Sequence, residues 1–110
     1  MTSADKLQKQ IDDLWQKHLP LTRSRIETVE LAFDALRNNR LTEDLRVEAA
    51  REAHKLAGAL GTFGLHRGAD AATEIEKLLS GGSSDSVPAE KLSAYLDTVK
   101  TQVNSKLAIR

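Results

Sequence analysis

The sequence predicts an all-α protein, specifically an antiparallel up-down four-helix bundle with an additional N-terminal helix in a single domain. Apolar residues recur every three to four positions along several long segments, which is helical spacing. No segment alternates apolar and polar residues, so no strand is predicted. Aromatic residues make up only 4% of the 110 residues, against 40% hydrophobic residues in all. The core must therefore consist mainly of aliphatic side chains, which suits helices packed in a bundle.

The N-terminal part of the chain predicts two helices that are separated at a proline. We expect an accessory helix over residues 1–18 and the bundle over residues 20–108. Pro20 separates them because proline fits the first turn of a helix but not its interior. The second helix should end near Asn38 and Asn39. The predicted inward residues of these two helices are Leu7, Ile11, Leu14 and Trp15, then Ile26, Val29, Phe33 and Leu36.

The third helix is expected to begin after Thr42, a suitable N-cap that is followed by two acidic residues. It should end between Leu60 and Gly64, where glycines and small residues cluster. A helix turns about 100° per residue, and this angle places six apolar residues on one stripe. They are Leu45, Ala49, Ala53, Leu56, Leu60 and Phe63.

Two more helices complete the predicted bundle. One runs from about Leu65 to Leu79 with Leu65, Ala69, Ala72, Ile75 and Leu79 inward. The stretch Ser80–Ser86 is rich in glycine and serine and predicts a flexible linker. The last helix starts near Pro88 and buries Leu92, Tyr95, Leu96, Val99, Val103 and Leu107.

Composition excludes several classes of function. Sixteen basic and sixteen acidic side chains give no net charge, which argues against a nucleic-acid binder, since such a protein needs a basic face. The chain has no cysteine, so a disulfide, a thiol nucleophile and a cysteine zinc site are impossible. No apolar run is long enough to span a bilayer or form a signal peptide. We expect a cytoplasmic monomer.

One histidine lies apart from the predicted core. His54 is about 180° from Leu45 around the third helix, so it should face solvent near the middle of that helix. Its neighbours on the helix surface are small or apolar, namely Val47, Ala50, Gly58 and Gly61. Two glycines inside a helix each cost about 1 kcal/mol relative to alanine. Either this bare surface admits a second protein close to His54, or another helix of the same chain packs against it.

The motif Ala53–Gly64, AHKLAGALGTFG, resembles the site of the histidine-containing phosphotransfer (HPt) domain family. His54, Leu56, Gly58 and Gly64 match its pattern, as do Ala72, Ile75 and Glu76 further along. The match runs without a gap from Ala53 to about Glu76, and the rest of the chain agrees only in length and helical pattern.

The resemblance implies a phosphorelay intermediate. His54 would accept a phosphoryl group from a receiver-domain aspartate of a response regulator or hybrid histidine kinase and pass it to another receiver aspartate. The family has no kinase activity of its own, and the receiver partner supplies Mg²⁺. Since an imidazole ordinarily titrates near neutrality, one ring nitrogen can hold a lone pair for the attack. We expect this nitrogen to be Nε2.

One departure from the family pattern leaves an alternative function open. The lysine usual three residues after the histidine is replaced by Ala57. Lys55 and Arg51 could supply the missing positive charge near a phosphohistidine, or they could be ordinary solvated helix charges. The alternative is a helical adaptor that is not phosphorylated and binds a signalling partner through the same face.

The remaining candidates have structural interpretations. We predict that His18 is a cation at a helix C-terminus or a plain surface residue, and that His66 is a surface residue. Trp15 should anchor the first helix by packing. Glu74, Glu76 and Lys77 are typical of a solvated face. We expect no metal site, because His54 and His66 lack further ligands at metal-site spacing.

Overall fold

A computed structural model describes the backbone of residues 2–81 and 86–108, and the side chains of these ranges as far as residue 106. It contains four helices: α1 (Ser3–Arg37), α2 (Glu43–Thr62), α3 (His66–Ser80) and α4 (Ala89–Ala108). The described ranges contain no strand. The predicted helical fold class is therefore confirmed, whereas the additional N-terminal helix is not.

The four helices pack around a ring, each against the helix before and after it in the chain, and α1 closes the ring against α4. Contacts along α2 and α3 show that neighbours are antiparallel. Arg46 near the start of α2 donates a hydrogen bond to the carbonyl of Leu79 near the end of α3. At the other end, Gly61 lies against Ala69. This is an up-and-down bundle with α2 and α3 as one hairpin.

Two short turns end helices in the same way. Asn39 after α1 and Gly64 after α2 both adopt left-handed backbone conformations, with φ of 55° and 80°. In each turn, the amide after this residue reaches back to a carbonyl of the last helical turn. The hydrogen bonds are Arg40 N to Ala35 O at 2.7 Å and Leu65 N to Leu60 O at 2.8 Å. This is the pattern of a Schellman helix end, which glycine and asparagine favour.

The predicted starts of α2 and α4 agree with the structure. The Thr42 side chain accepts a hydrogen bond from the amide of Leu45 at 3.1 Å and thereby caps α2. Pro88 directly precedes α4. Of the predicted linker Ser80–Ser86, Ser80 is the last residue of α3, and residues 82–85 lie outside the described ranges.

The core is mainly aliphatic, as the composition requires. The α2 stripe is confirmed, with Ala49, Ala53, Leu56 and Leu60 fully buried and Leu45 and Phe63 at its ends half-buried. The predicted inward residues of α4 are also buried or half-buried as far as Val103, while Leu107 lies outside the described side chains. The side chain of Trp15 is buried as well, which confirms its packing role.

The predicted break at Pro20 is wrong, because α1 runs through it as one helix of 35 residues. A buried stripe continues at helical spacing across the proline through Trp15, Leu19, Thr22, Ile26 and Val29. Pro20 itself and Gln16, whose carbonyl loses its helical partner, are both exposed, so water can satisfy that carbonyl. Packing on the buried side offsets the cost of an interior proline, about 3 kcal/mol. Residues 3–18 are therefore the first half of α1 and not an accessory helix.

The long α1 also sets the shape of the molecule, which measures 54 × 21 × 19 Å. Thirty-five helical residues span about 52 Å, so α1 alone accounts for the long axis. The other helices have 15 to 20 residues each. The first buried residue of α1 is Trp15, and residues 3–14 project beyond the end of the bundle. We call this segment the α1 overhang.

Candidate functional site

The site is built on the outer side of α2, opposite its buried stripe. The fully buried residues Ala53 and Leu56 lie one residue before and two residues after His54 and hold this turn of α2 against the core. His54 consequently points outward, with 73% of its side chain exposed. The predicted solvent-facing position of this histidine is therefore correct.

A carboxylate from the neighbouring helix orients the ring of His54. Glu76 lies on α3, directly after the fully buried Ile75, and its Oε1 atom is 3.1 Å from His54 Nδ1. A carboxylate accepts hydrogen bonds, so this contact favours the tautomer in which Nδ1 carries the proton and donates it to Glu76. The Nε2 atom then holds the lone pair.

Glu76 is a candidate site residue whose contact with His54 the sequence interpretation missed, because Glu76 was assigned to a solvated face. The register of the hairpin contains a signal that could have found it. Gly61 lies opposite Ala69 across the hairpin. The two residues are equally far from Leu65 in the sequence, one before it and one after it. His54 and Glu76 are centred on the same residue, so antiparallel packing places them at the same level.

The two expected cations are exposed and each pairs with a glutamate three residues earlier on α2. Arg51 Nη1 lies 3.1 Å from Glu48, and Lys55 Nζ lies 3.5 Å from Glu52. The exposed pair of Arg51 and Glu48 is weak, worth about 0–1 kcal/mol. Lys55 shares the half-buried Glu52 with Arg25, so Glu52 keeps a cationic partner when Lys55 moves to a stronger anion. Ala57, at the usual lysine position, is half-buried against the core.

The predicted contact surface is only partly on the outside of α2. Val47 is exposed, and a Cβ atom at Gly58 would have nothing within 4 Å. The alternative that another helix packs on Gly58 is thus wrong. Gly61 is half-buried, and a Cβ added there would lie 3.9 Å from the Cβ of Ala69. The prediction that Ala50 lies on the open surface is wrong. Ala50 is only 9% exposed and belongs to the core, at the edge of the α2 stripe.

His18 also differs from its prediction, because the continuous α1 places it in a helix interior. Its ring packs on Phe63, with the ring centroids 5.7 Å apart. Its Nε2 atom is buried and has no hydrogen-bond partner among the described residues. Burial, together with the nearby Arg25 charge, lowers the pKa of His18. By contrast, His66 is exposed at the start of α3, as predicted.

Three grooves on the described surface lie away from His54. One groove lies between α1 and α4 around Lys100, and two lie between α3 and α4 around Arg67 and Thr98. His54 lines none of them. Within residues 2–81 and 86–108, no three metal-ligating side chains cluster, and no helix there could cross a membrane.

A helical bundle that holds an exposed imidazole in one orientation suits a protein that exchanges a group with another protein. The sequence profile of the Hpt domain matches residues 4–105. The chain therefore belongs to the Hpt domain family, whose members carry phosphoryl groups on histidine in two-component signalling and are not kinases. No curated protein and no solved structure gave a significant match.

Proposed function

We propose that this chain is a phosphorelay intermediate in which His54 accepts a phosphoryl group from one receiver-domain aspartate and delivers it to another. The partners are a response-regulator receiver domain, a hybrid histidine kinase, or both. One observation carries the proposal: the exposed His54 has its Nδ1 held 3.1 Å from the Glu76 carboxylate. This contact leaves Nε2 directed at solvent, where a partner's phosphoryl group can reach it.

The transfer step conserves atoms and charge. The Nε2 lone pair forms a bond to phosphorus while the bond between phosphorus and the aspartyl oxygen breaks, which returns the partner's aspartate to a carboxylate. The proton on Nδ1 stays in place and is shared with Glu76, so the positive charge that develops on the ring is stabilised by that carboxylate. Delivery to the second receiver is the reverse reaction.

The surface near His54 allows the close approach that this step needs. In-line transfer requires the attacking nitrogen and the phosphorus to come within about 3–3.5 Å before reaction. Gly58, one turn after His54, presents no side chain, and space is open where one would lie. We propose that Val47, Gly58 and the exposed edge of Gly61 contact the receiver domain, with His54 at the centre.

Charge neutralisation is proposed to come from both proteins. Lys55 and Arg51 can leave Glu52 and Glu48 for the phosphoryl group, which carries more charge than a carboxylate and attracts cations more strongly. The receiver is expected to supply Mg²⁺ at its own aspartate. The two cations would thus compensate for the lysine that is missing at Ala57.

The direct test is phosphoryl acceptance from a phosphorylated receiver domain with Mg²⁺, measured as acid-labile phosphate on the chain. The His54→Gln variant should accept none, while its helical circular dichroism signal and melting temperature stay close to the parent, since an exposed substitution usually changes stability by less than about 0.5 kcal/mol. His66→Gln is the matched control and should accept normally. Receiver binding without any transfer by the parent would establish the adaptor function instead.

A further inference from the structure

Arg25 of α1 reaches across the helix interface to the carboxylate that also holds Lys55. Its Nε atom lies 3.5 Å from Glu52 Oε2, and Lys55 Nζ lies 3.5 Å from Glu52 Oε1. The two oxygens of one carboxylate are thus divided between a cation of α1 and a cation of α2. The exposed fraction of the side chain is 15% for both Arg25 and Glu52, against 46% for Lys55. Arg25 is therefore the inner partner of Glu52 and Lys55 the outer one.

The burial of Glu52 makes its positive partners important. A carboxylate that has lost most of its water needs a cation or hydrogen-bond donors to remain charged. Within the described part of the chain, Lys55 is the only group that donates a hydrogen bond to this carboxylate, and Arg25 is its only other cationic partner. If Arg25 were absent, Lys55 would be the sole partner of a half-buried carboxylate and would be held there.

We propose that Arg25 is a positioning residue for phosphoryl transfer, because it pairs with Glu52 from α1 and so leaves Lys55 free to move to a phosphoryl group on the adjacent His54. This inference rests on the proposed function and adds a residue of α1 to it. Arg25 does not contact the phosphoryl group, since its own charge is paired with Glu52. Lys55 is the residue that makes that contact.

A comparison of charges before and after the movement supports this role. When Lys55 leaves, Glu52 and Arg25 remain as a neutral pair, so the half-buried carboxylate is not left alone. Lys55 gains a partner that carries more negative charge than a carboxylate. Without Arg25 the same movement would leave a half-buried charge unpaired, which is strongly unfavourable. Arg25 thus makes Lys55 available in a chain that has Ala57 at the usual lysine position.

The first test is the rate of phosphoryl acceptance from a phosphorylated receiver domain with Mg²⁺. Arg25→Met keeps the apolar stem but removes the charge, and it should slow acceptance about three- to fivefold, close to the effect of Lys55→Ala. Arg25→Lys can still pair with Glu52 and should stay close to the parent. Arg23→Met is the matched control, because Arg23 is an exposed arginine in the groove between α1 and α4, and it should transfer normally.

Double variants distinguish this role from a direct effect of the Arg25 charge on the phosphoryl group. If Arg25 acts through Glu52 and Lys55, Arg25→Met should have no further effect in a Glu52→Gln background or in a Lys55→Ala background. A direct effect would persist in both backgrounds and would overturn the proposal. Acceptance by Arg25→Met at the parental rate would overturn it as well.

The mobility of the Lys55 ammonium group gives a measurement that does not depend on phosphotransfer. Nitrogen NMR relaxation of lysine side chains reports this mobility on the picosecond to nanosecond timescale. Lys55 should be more ordered in Arg25→Met than in the parent, and more mobile in Glu52→Gln. Unchanged order of Lys55 in Arg25→Met would overturn the inference even if transfer were slower. A parent that accepts no phosphoryl group would refute the proposed function, and this comparison would still decide whether Arg25 releases Lys55 from Glu52.

Discussion

Gly58 gives a prediction in which stability and transfer change in opposite directions. It lies inside α2, is exposed, and has no heavy atom within 4 Å of the position of an added Cβ. Replacing an exposed helical glycine by leucine or alanine gains nearly 1 kcal/mol of stability. In a domain of this size, 1 kcal/mol raises the melting temperature by about 4 °C. Both Gly58→Ala and Gly58→Leu should therefore melt higher than the parent.

The same leucine should impair phosphotransfer. It would project from α2 one turn after His54 and hold the receiver away from Nε2, in the centre of the contact where interfaces tolerate little misfit. We expect transfer from the phosphorylated receiver to slow at least tenfold, which corresponds to about 1.4 kcal/mol in the barrier. Gly58→Ala adds only a methyl group and should lie between the parent and Gly58→Leu.

Gly68 supplies the matched control. A Cβ there would lie 3.1 Å from the Cβ of Gln102 and 3.2 Å from Leu60 Cδ1, and the Cβ of Gln102 cannot move without its backbone. Overpacking of this kind costs about 1–3 kcal/mol and offsets the helix-propensity gain of about 1 kcal/mol, so Gly68→Ala should not melt higher than the parent, as Gly58→Ala should, yet it should transfer normally at temperatures where it is folded. If Gly58→Leu melts lower than the parent, or transfers within twofold of it, our account of the surface around His54 is wrong.

Three further predictions concern Glu76, the two cations and His18. Glu76→Ala should slow phosphoryl acceptance about tenfold without changing the melting temperature. Glu76→Gln can still accept the hydrogen bond from His54 Nδ1, so it should slow acceptance only a few-fold. Equal slowing by both variants would contradict the orienting role of Glu76. Arg51→Ala and Lys55→Ala should each slow transfer modestly and the double variant more, and parental rates in all three would show that neither cation helps. The pKa of His18 is lowered in the folded state, so the unfolded chain binds the proton first as the pH falls below about 6.5 and the folded state loses stability there. The melting temperature should therefore fall between pH 7.5 and pH 5.5. His18→Leu should remove part of this fall, and His66→Gln, the control, should not.

The sequence was sufficient to predict the helix that carries the site. Helical spacing alone predicted the α2 stripe, and the stripe predicted the exposure of His54, because both depend only on the 100° turn within one helix. Thr42 and Gly64 marked the ends of α2 through local backbone chemistry. Features that depend on a single helix or turn could therefore be predicted from the chain.

Features that depend on contacts between helices were not predicted. Pro20 is a local helix-breaking signal, but packing along the stripe from Trp15 to Val29 outweighs it. Ala50 lies towards the solvent side by angle alone, yet it is buried, because small residues at the edge of a stripe are covered by the adjacent helices. Likewise, Glu76 gains its role from the register between α2 and α3, which a single-helix analysis does not include.

The turn at residues 63–65 has a consequence for how the chain can change in length. His54 and Glu76 belong to different helices, and this turn fixes their relative level. Each helical residue adds 1.5 Å and 100°, so one inserted residue in the first turn of α3 would rotate Glu76 to another side of α3 or shift it along the helix. The connections before α2 and after α3 can lengthen without disturbing this pair. Insertions are therefore compatible with the site at those two connections, but not between His54 and Glu76.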